Sequence, residues 1–250
     1  MKTLQRAKGI AHDLIVTQDG STVTLWSASG VRHTVLDLGA PHVPGLEYAR
    51  NTLLALAFTP LPRRFLMLGL GGGSILHMLR AACPAALVHA VEIDPAVIDL
   101  ARRFFQVGDS PHFQIFLDDA AGYIARCPDH YDVIIVDAYL GEKLPAQCAA
   151  AEFFRNAGQR LTREGVLVLN LMRGNPRQSR EVLSNLEAAV GRAWILPGYR
   201  ARNTLVFAPI RECTRQDLVS RAESIEQELP FASAIGRMAR HVRPCDPGAL

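Results

Sequence analysis

The stretch from Phe65 to Glu92 constrains this chain more than any other. It opens with the apolar run Phe65-Leu66-Met67-Leu68 and continues into Gly69, Gly71, Gly72 and Gly73. After Ser74 comes a helical pattern, and a second apolar run, Leu87-Val88-His89-Ala90-Val91, ends in Glu92. An apolar strand, a glycine-rich turn, a helix and a second strand closed by a carboxylate make a βαβ unit whose first turn lets a ligand approach the backbone. The carboxylate follows the glycines by about twenty positions, the spacing at which it reaches a ribose hydroxyl pair. Ser74 stands where a dinucleotide fingerprint has its third glycine, so the G-x-G-x-G order suits a nucleoside better than a pyrophosphate.

Around this unit the pattern is regular. Residues Leu14–Val16, Val23–Trp26 and Val31–Leu38, separated by turns at Asp19-Gly20 and Ser29-Gly30, read as a small antiparallel meander. Gly39 to Gly45 is a connector, and Glu47 to Phe58 has helical spacing stopped by Pro60 and Pro62. From Phe65 onward strands are expected at Phe65–Leu70, Leu87–Glu92, Phe113–Leu117, Val133–Asp137, Val166–Leu171, Ala193–Leu196 and Thr204–Ala208. Helices are expected at Ser74–Ala82, Pro95–Phe105, Ala120–Arg126, Cys148–Leu161 and Arg177–Val190. Near-continuous apolar strands alternating with amphipathic helices predict an α/β, doubly wound, mostly parallel sheet with helices on both faces. Only Pro197-Gly198 and a few further residues join the last two strands, which therefore form an antiparallel hairpin. A late antiparallel strand is typical of the Rossmann-like variant found in S-adenosylmethionine-dependent methyltransferases. Residues 1–46 are read as a β cap with its connector and 47–250 as the nucleoside-binding domain. Thr214 to Glu228 is read as a closing surface helix and the tail after Arg243 as loose.

In an open parallel sheet, ligands sit beyond the carboxyl ends of the strands. Those ends carry Gly69, Gly71 and Gly73, then Glu92, Asp119 and Asp137. Asp94 and Pro95 make a helix start, with Asp as N-cap and Pro at the first helical position, which leaves Glu92 without a structural task. One of Asp118 and Asp119 caps the helix at Ala120; the other can accept a hydrogen bond from an adenine amine, and Asp119 is assigned that role. Asp137 closes an apolar strand and opens the loop from Ala138 to Gln147. Burial there can raise its pKa and let it take a proton from an attacking amine. His33, His42, His77, His89, His112, His130 and His241 have no partner at fixed spacing and read as packing or surface residues. Trp26 and Trp194 read as core.

Composition removes several function classes. The five cysteines are scattered without a C-x-x-C pair, as in a reducing compartment, and no metal site is expected. A net charge of +3 with intermixed signs and no basic stripe does not point to nucleic acid. Met1 to Ile15 lacks the apolar core of a signal peptide, and no apolar run has the length of a membrane span, so a cytoplasmic protein without membrane partners is expected.

At these residues the chain resembles the spermidine synthase (polyamine aminopropyltransferase) family, in a divergent, spermidine-synthase-like form. The similarity runs from about Leu36 through Leu171. It is carried by Gly69 to Gly73, Val91-Glu92-Ile93-Asp94, Asp119-Ala120, the run Tyr131 to Asp137, Glu152-Phe153-Phe154 and Gly165-Val166-Leu167-Val168. The resemblance implies an adenosyl sulfonium donor, S-adenosylmethionine or its decarboxylated form, held by Gly69, Gly71, Gly73, Glu92, Ile93, Asp119 and Ala120. It also implies a small amine acceptor such as a polyamine beside Tyr48 and Tyr139, Asp137 at the reacting centre, and a homodimer. Three departures stand out. Gly72 replaces an Asp that receives the aminopropyl ammonium, Leu140 replaces an Asp that holds the polyamine, and Arg50 replaces a carboxylate after Tyr48-Ala49. Sites for two ammonium-bearing substrates need carboxylates to offset desolvation, and here at least two are missing. Methyl transfer is therefore the nearest alternative to aminopropyl transfer. A nucleoside binder without turnover is a second, and a nicotinamide-dependent dehydrogenase a third. Ser74, Asp119 and the absence of a separate substrate domain argue against the dehydrogenase.

Overall fold

The computed structural model describes residues 1–141, 143–172, 174, 176–198 and 203–245. Its strands fall into two sheets. The first is a four-stranded antiparallel meander in chain order, β1 Lys2–Lys8, β2 Asp13–Asp19, β3 Thr22–Ser27 and β4 Arg32–Asp37. Periodicity did not point to β1, because its residues are polar and mostly solvent-facing. It pairs only with β2, so it is an edge strand, where lysines discourage further pairing. Trp26 is half-buried rather than core, its indole N–H donating to Thr17 Oγ1 at 2.8 Å.

The helical stretch expected over Glu47 to Phe58 forms in three pieces: α1 Glu47–Asn51, a 3₁₀ turn Thr52–Leu54, and α2 Ala55–Phe58. The Thr52 hydroxyl, fully buried, donates back to Ala49 O at 2.7 Å, a bond that tightens the backbone where the two pieces meet.

The second sheet contains β5 Arg64–Leu68, β6 Leu87–Glu92, β7 Phe113–Leu117, β8 Tyr131–Val136, β9 Leu161–Met172, β10 Trp194–Pro197, β11 Asn203–Pro209 and β12 Arg243–Pro244. Their order is β12-β10-β11-β9-β8-β5-β6-β7. The strands from β7 to β9 are parallel, whereas β11 inserts antiparallel between β9 and β10. Alternate residues of the central strands point to opposite faces. Phe65, Met67, Val133, Ile135, Val166 and Val168 join the core shared with the N-terminal sheet. Leu66, Leu68, Ile134, Val136, Leu167 and Leu169 join the core under the helices on the other side.

α3 Ser74–Ala82 and α4 Pro95–Phe104 bury their apolar residues on the side of the N-terminal sheet, and α5 Ala120–Arg126 buries its own on the other. The helix expected from Cys148 to Leu161 is divided into α6 Ala146–Ala149 and α7 Ala151–Gln159 by the extended Ala150, and Leu161 already belongs to β9. After α8 Pro176–Ala189 come α9 Arg215–Glu228 and α10 Ile235–His241. Thr214 and Asp217 close a capping box on α9, which buries Leu218 and Ala222. The tail is not loose at its start: Pro244 pairs with Trp194, and Cys245 N donates to Ala193 O at 2.7 Å. Pro247 and Gly248 lie outside the described residues. Among the described residues no helix is long and apolar enough to cross a membrane.

Candidate active site

From β5 the chain steps outward through β6 to β7, then returns to the other side of β5 as β8 and β9. The crevice where the order reverses lies at the carboxyl ends of β5, β6 and β8, which are the ends that carry Gly69, Glu92 and Asp137.

Gly69 leaves β5 with φ +103, and a Cβ placed on it would collide with the backbone carbonyl of Asp137. Glycine is needed there because two strand ends approach at backbone distance. Gly73 ends the turn as the N-cap of α3. Gly72 has an ordinary backbone conformation, but its Cβ position lies 2.8 Å from both Phe105 Cδ1 and Thr34 Cγ2, and its N–H donates to Thr34 Oγ1 at 2.7 Å. The missing aspartate has therefore left no hole. β4 and Phe105 fill its place.

Glu92 does have a structural task, contrary to the sequence reading. Its Oε2 accepts from Leu70 N and its Oε1 from Asp94 N, both at 3.0 Å, so the half-buried carboxylate ties the glycine turn to the start of α4. Burial pushes its pKa up, opposed by the hydrogen bonds from Asp94, Leu70 and Gly71. Asp94 caps α4 as expected, through Oδ1 to Ala96 N, and its Oδ2 also accepts from Ile10 N at 2.7 Å, which fastens the N-terminal sheet. Of the aspartate pair, Asp119 is the cap, Oδ1 accepting from Gly122 N at 2.8 Å. Asp118 instead pairs with Arg126. Capping uses one oxygen of Asp119 and leaves its carboxylate at the end of β7, with Ala120 opening α5.

Asp137 is the carboxyl on which side-chain donors converge. Tyr48 Oη donates to its Oδ2 at 3.1 Å and Asn170 Nδ2 to its Oδ1 at 2.7 Å. Burial lifts its pKa to about 6 against the pull of those two donors, and the negative charge of Glu92 adds to the rise. The Tyr48 hydroxyl is pushed well above its ordinary value by burial and by Asp137, so it remains a donor. Asn170 is itself held by Asn203 Nδ2, which donates to its Oδ1 at 2.9 Å. Tyr139 Oη donates to Asn170 O at 2.6 Å and accepts from Met172 N at 3.0 Å, pinning the loop after Asp137 to β9.

A cavity of about 150 Å³ collects Tyr48, Gly71, Glu92, Ile93, Asp137 and Tyr139. Gly69, Gly73, Asp119 and Ala120 are not among its walls. It is smaller than the ~300–1,000 Å³ typical of ligand sites, with room for part of a ligand and not for a whole nucleoside. A larger cleft of about 1090 Å³ runs between α1 and α10, but none of the strand-end carboxylates faces it. The strand-end carboxylates Glu92 and Asp137 line the smaller cavity. Its walls also include Asn170, His12 and His33, none of which the sequence reading assigned to the site. Asn170 had a signal, a polar residue inside the run Val166 to Leu171. The histidines had none, because 21 residues separate them.

A family model for the spermine/spermidine synthase domain matches residues 52–196, which span both the glycine turn and Asp137. The chain belongs to the spermine/spermidine synthase family. A polyamine aminopropyltransferase of Vibrio vulnificus (strain CMCP6) is 33% identical over 174 residues, 67% of this chain and 58% of that protein, so the match spans less than two thirds of the relative's length. An eEF1A lysine and N-terminal methyltransferase of Bos taurus is 30% identical over 201 residues, 75% of this chain and 28% of that protein. A spermidine synthase solved in complex with the transition state analogue AdoDATO shares the fold, with a TM-score of 0.74 at 17% identity over 96% of this chain and 85% of that one. These relatives are transferases, and family membership makes this chain one of a transferase family.

Proposed function

We propose that this chain binds an adenosyl sulfonium donor, S-adenosylmethionine or its decarboxylated form, and transfers an alkyl group from it to a small amine. Aminopropyl transfer to a polyamine is the reaction the family suggests. The observation that carries the reading is Asp137, a carboxyl raised to about 6 at the end of a central strand, oriented by Tyr48 and Asn170. In the proposed step the amine nitrogen attacks the carbon next to the sulfonium in line with the breaking C–S bond. Sulfur leaves as a neutral thioether and Asp137 takes the amine proton. In-line displacement at a sulfonium depends mainly on positioning, and a base with a pKa near neutrality is suited to the proton transfer. Glu92 and Ile93 would meet the ribose, Asp119 and Ala120 the adenine, and Gly69, Gly71 and Gly73 would let the donor lie against the backbone. Tyr48 and Tyr139 would face the acceptor. Residues 47–250 would act as the transferase domain under the 1–46 cap, as a cytoplasmic homodimer.

Methyl transfer is the second reading. The filled space at Gly72 favours it, since no carboxylate can stand there to receive an aminopropyl ammonium, and so does the similarity to the Bos taurus methyltransferase. Incubation with each donor and a polyamine panel, followed by mass spectrometry, separates the two by the group gained. Donor binding without product from any amine would end the aminopropyl assignment. Stabilisation by NAD but not by methylthioadenosine in a thermal-shift assay would end the adenosyl reading altogether.

A further inference from the structure

The cavity beside Asp137 has a wall to which the transfer step assigns no task. His12, between β1 and β2, and His33, on β4, bring their Nε2 atoms to 3.1 Å, with rings 13° from parallel. Arg32 lines the same cavity, and among the described residues it has no ion-pair partner. A hydrogen bond between two Nε2 atoms needs one protonated and one bare nitrogen, so the pair can hold one extra proton but not two. Burial, and then the charge of His12, lower the pKa of His33 to about 4 and keep that ring neutral. Whichever ring accepts at Nε2 carries its proton on Nδ1, so the pair has a donor to offer.

Each carboxylate of the cavity already accepts at both oxygens. Both oxygens of Glu92 accept backbone N–H groups, as do both oxygens of Asp94. Both oxygens of Asp137 accept from Tyr48 and Asn170. Leu140, which also lines the cavity, adds no charge. An ammonium reaching the histidine wall would lose hydration and meet Arg32 and an imidazole N–H there. A carboxylate in the same place would gain charge-assisted hydrogen bonds from Arg32 and an imidazole N–H.

We propose that the wall formed by Arg32, His12 and His33 receives a carboxylate carried by one of the two substrates, and that this pocket selects against a substrate whose end carries an ammonium and no carboxylate. The inference rests on the adenosyl-donor reading and refines it. The carboxylate has two possible sources, the amino-acid tail of an intact donor or an acceptor built like an amino acid.

Calorimetric titration of the full chain distinguishes them, with methylthioadenosine as the tail-less reference. One arm compares S-adenosylmethionine with its decarboxylated form. The other, with methylthioadenosine bound, compares 4-aminobutyrate with 1,4-diaminobutane. The carboxylate-bearing member should bind roughly tenfold tighter in one arm, the order of one charge-assisted contact, and that arm names the source. Arg32→Gln, at an exposed position, and His33→Gln, which keeps a hydrogen-bonding side chain, should each bring the ratio toward one while retaining methylthioadenosine affinity. Preference for the member without a carboxylate in both arms overturns the proposal, as does a carboxylate preference that neither variant changes. Failure of methylthioadenosine itself to bind would instead locate the error in the adenosyl reading.

Discussion

Asp137→Asn separates what the carboxyl contributes to chemistry from what its burial does to the fold. In the native protein the group titrates at about 6, against an ordinary value of 3.8. Between those values the native state binds more protons than the unfolded chain, so stability falls as pH rises from about 4 to about 6 and remains lowered above. Below about 4 both states are protonated and the penalty vanishes. The gap corresponds to about 3 kcal/mol as a ceiling. Because the residue is only half-buried, with one side open to the pocket, a penalty of about 1–3 kcal/mol is expected. An asparagine keeps the local bonds, its oxygen accepting from Asn170 and its amide donating to the Tyr48 hydroxyl oxygen. Urea denaturation should therefore find the variant more stable than the wild type by about 1–3 kcal/mol at pH 8, and within about 0.5 kcal/mol at pH 4. Donor affinity should be kept while the transfer rate drops by about 10²–10⁴. A stability difference that is the same at both pH values would refute the burial argument, and an equal loss of affinity would make Asp137 a binding residue.

Glu92→Ala should abolish donor affinity in calorimetry. It should also lower stability by about 1–3 kcal/mol, because Leu70 N and Asp94 N lose their acceptor, and an unchanged melting temperature would show that the turn does not depend on it. Gly72→Asp should cost on the order of 1–3 kcal/mol as Phe105 and Thr34 are displaced, without gain of aminopropyl transfer. A stable variant with improved transfer from the decarboxylated donor would contradict that. Asn170→Ala removes a donor that holds the Asp137 pKa down, so the acid limb of the pH–rate profile should move to higher pH. An unmoved limb would mean that Asn170 does not act through Asp137.

Much of the fold can be read from local patterns. The boundaries of β6, β7, α3 and α5 coincide with those expected, because apolar alternation, Pro95 and the glycine turn act within a few residues. β1 is not legible in the sequence because an exposed edge strand needs no apolar face, and α6 and α7 read as one helix because Ala150 carries no breaking signal. The choice between Asp118 and Asp119 as cap was locally ambiguous. The structure decides it: Asp119 accepts from Gly122 N, and Asp118 pairs with Arg126.

The sequence alone determined the βαβ unit, the acidic strand ends and the family, since glycine conformations, strand periodicity and motif spacing are properties of neighbouring residues. Only the tertiary structure decided what those residues do. Tyr48 reaches Asp137 across 89 residues, Thr34 fills the space at Gly72 across 38, and His12 meets His33 across 21. The first depends on where α1 lies over the crevice and the second on how the small N-terminal sheet packs against it, while the third is made within that small sheet. The path of the chain sets that packing, and no short window of residues encodes it.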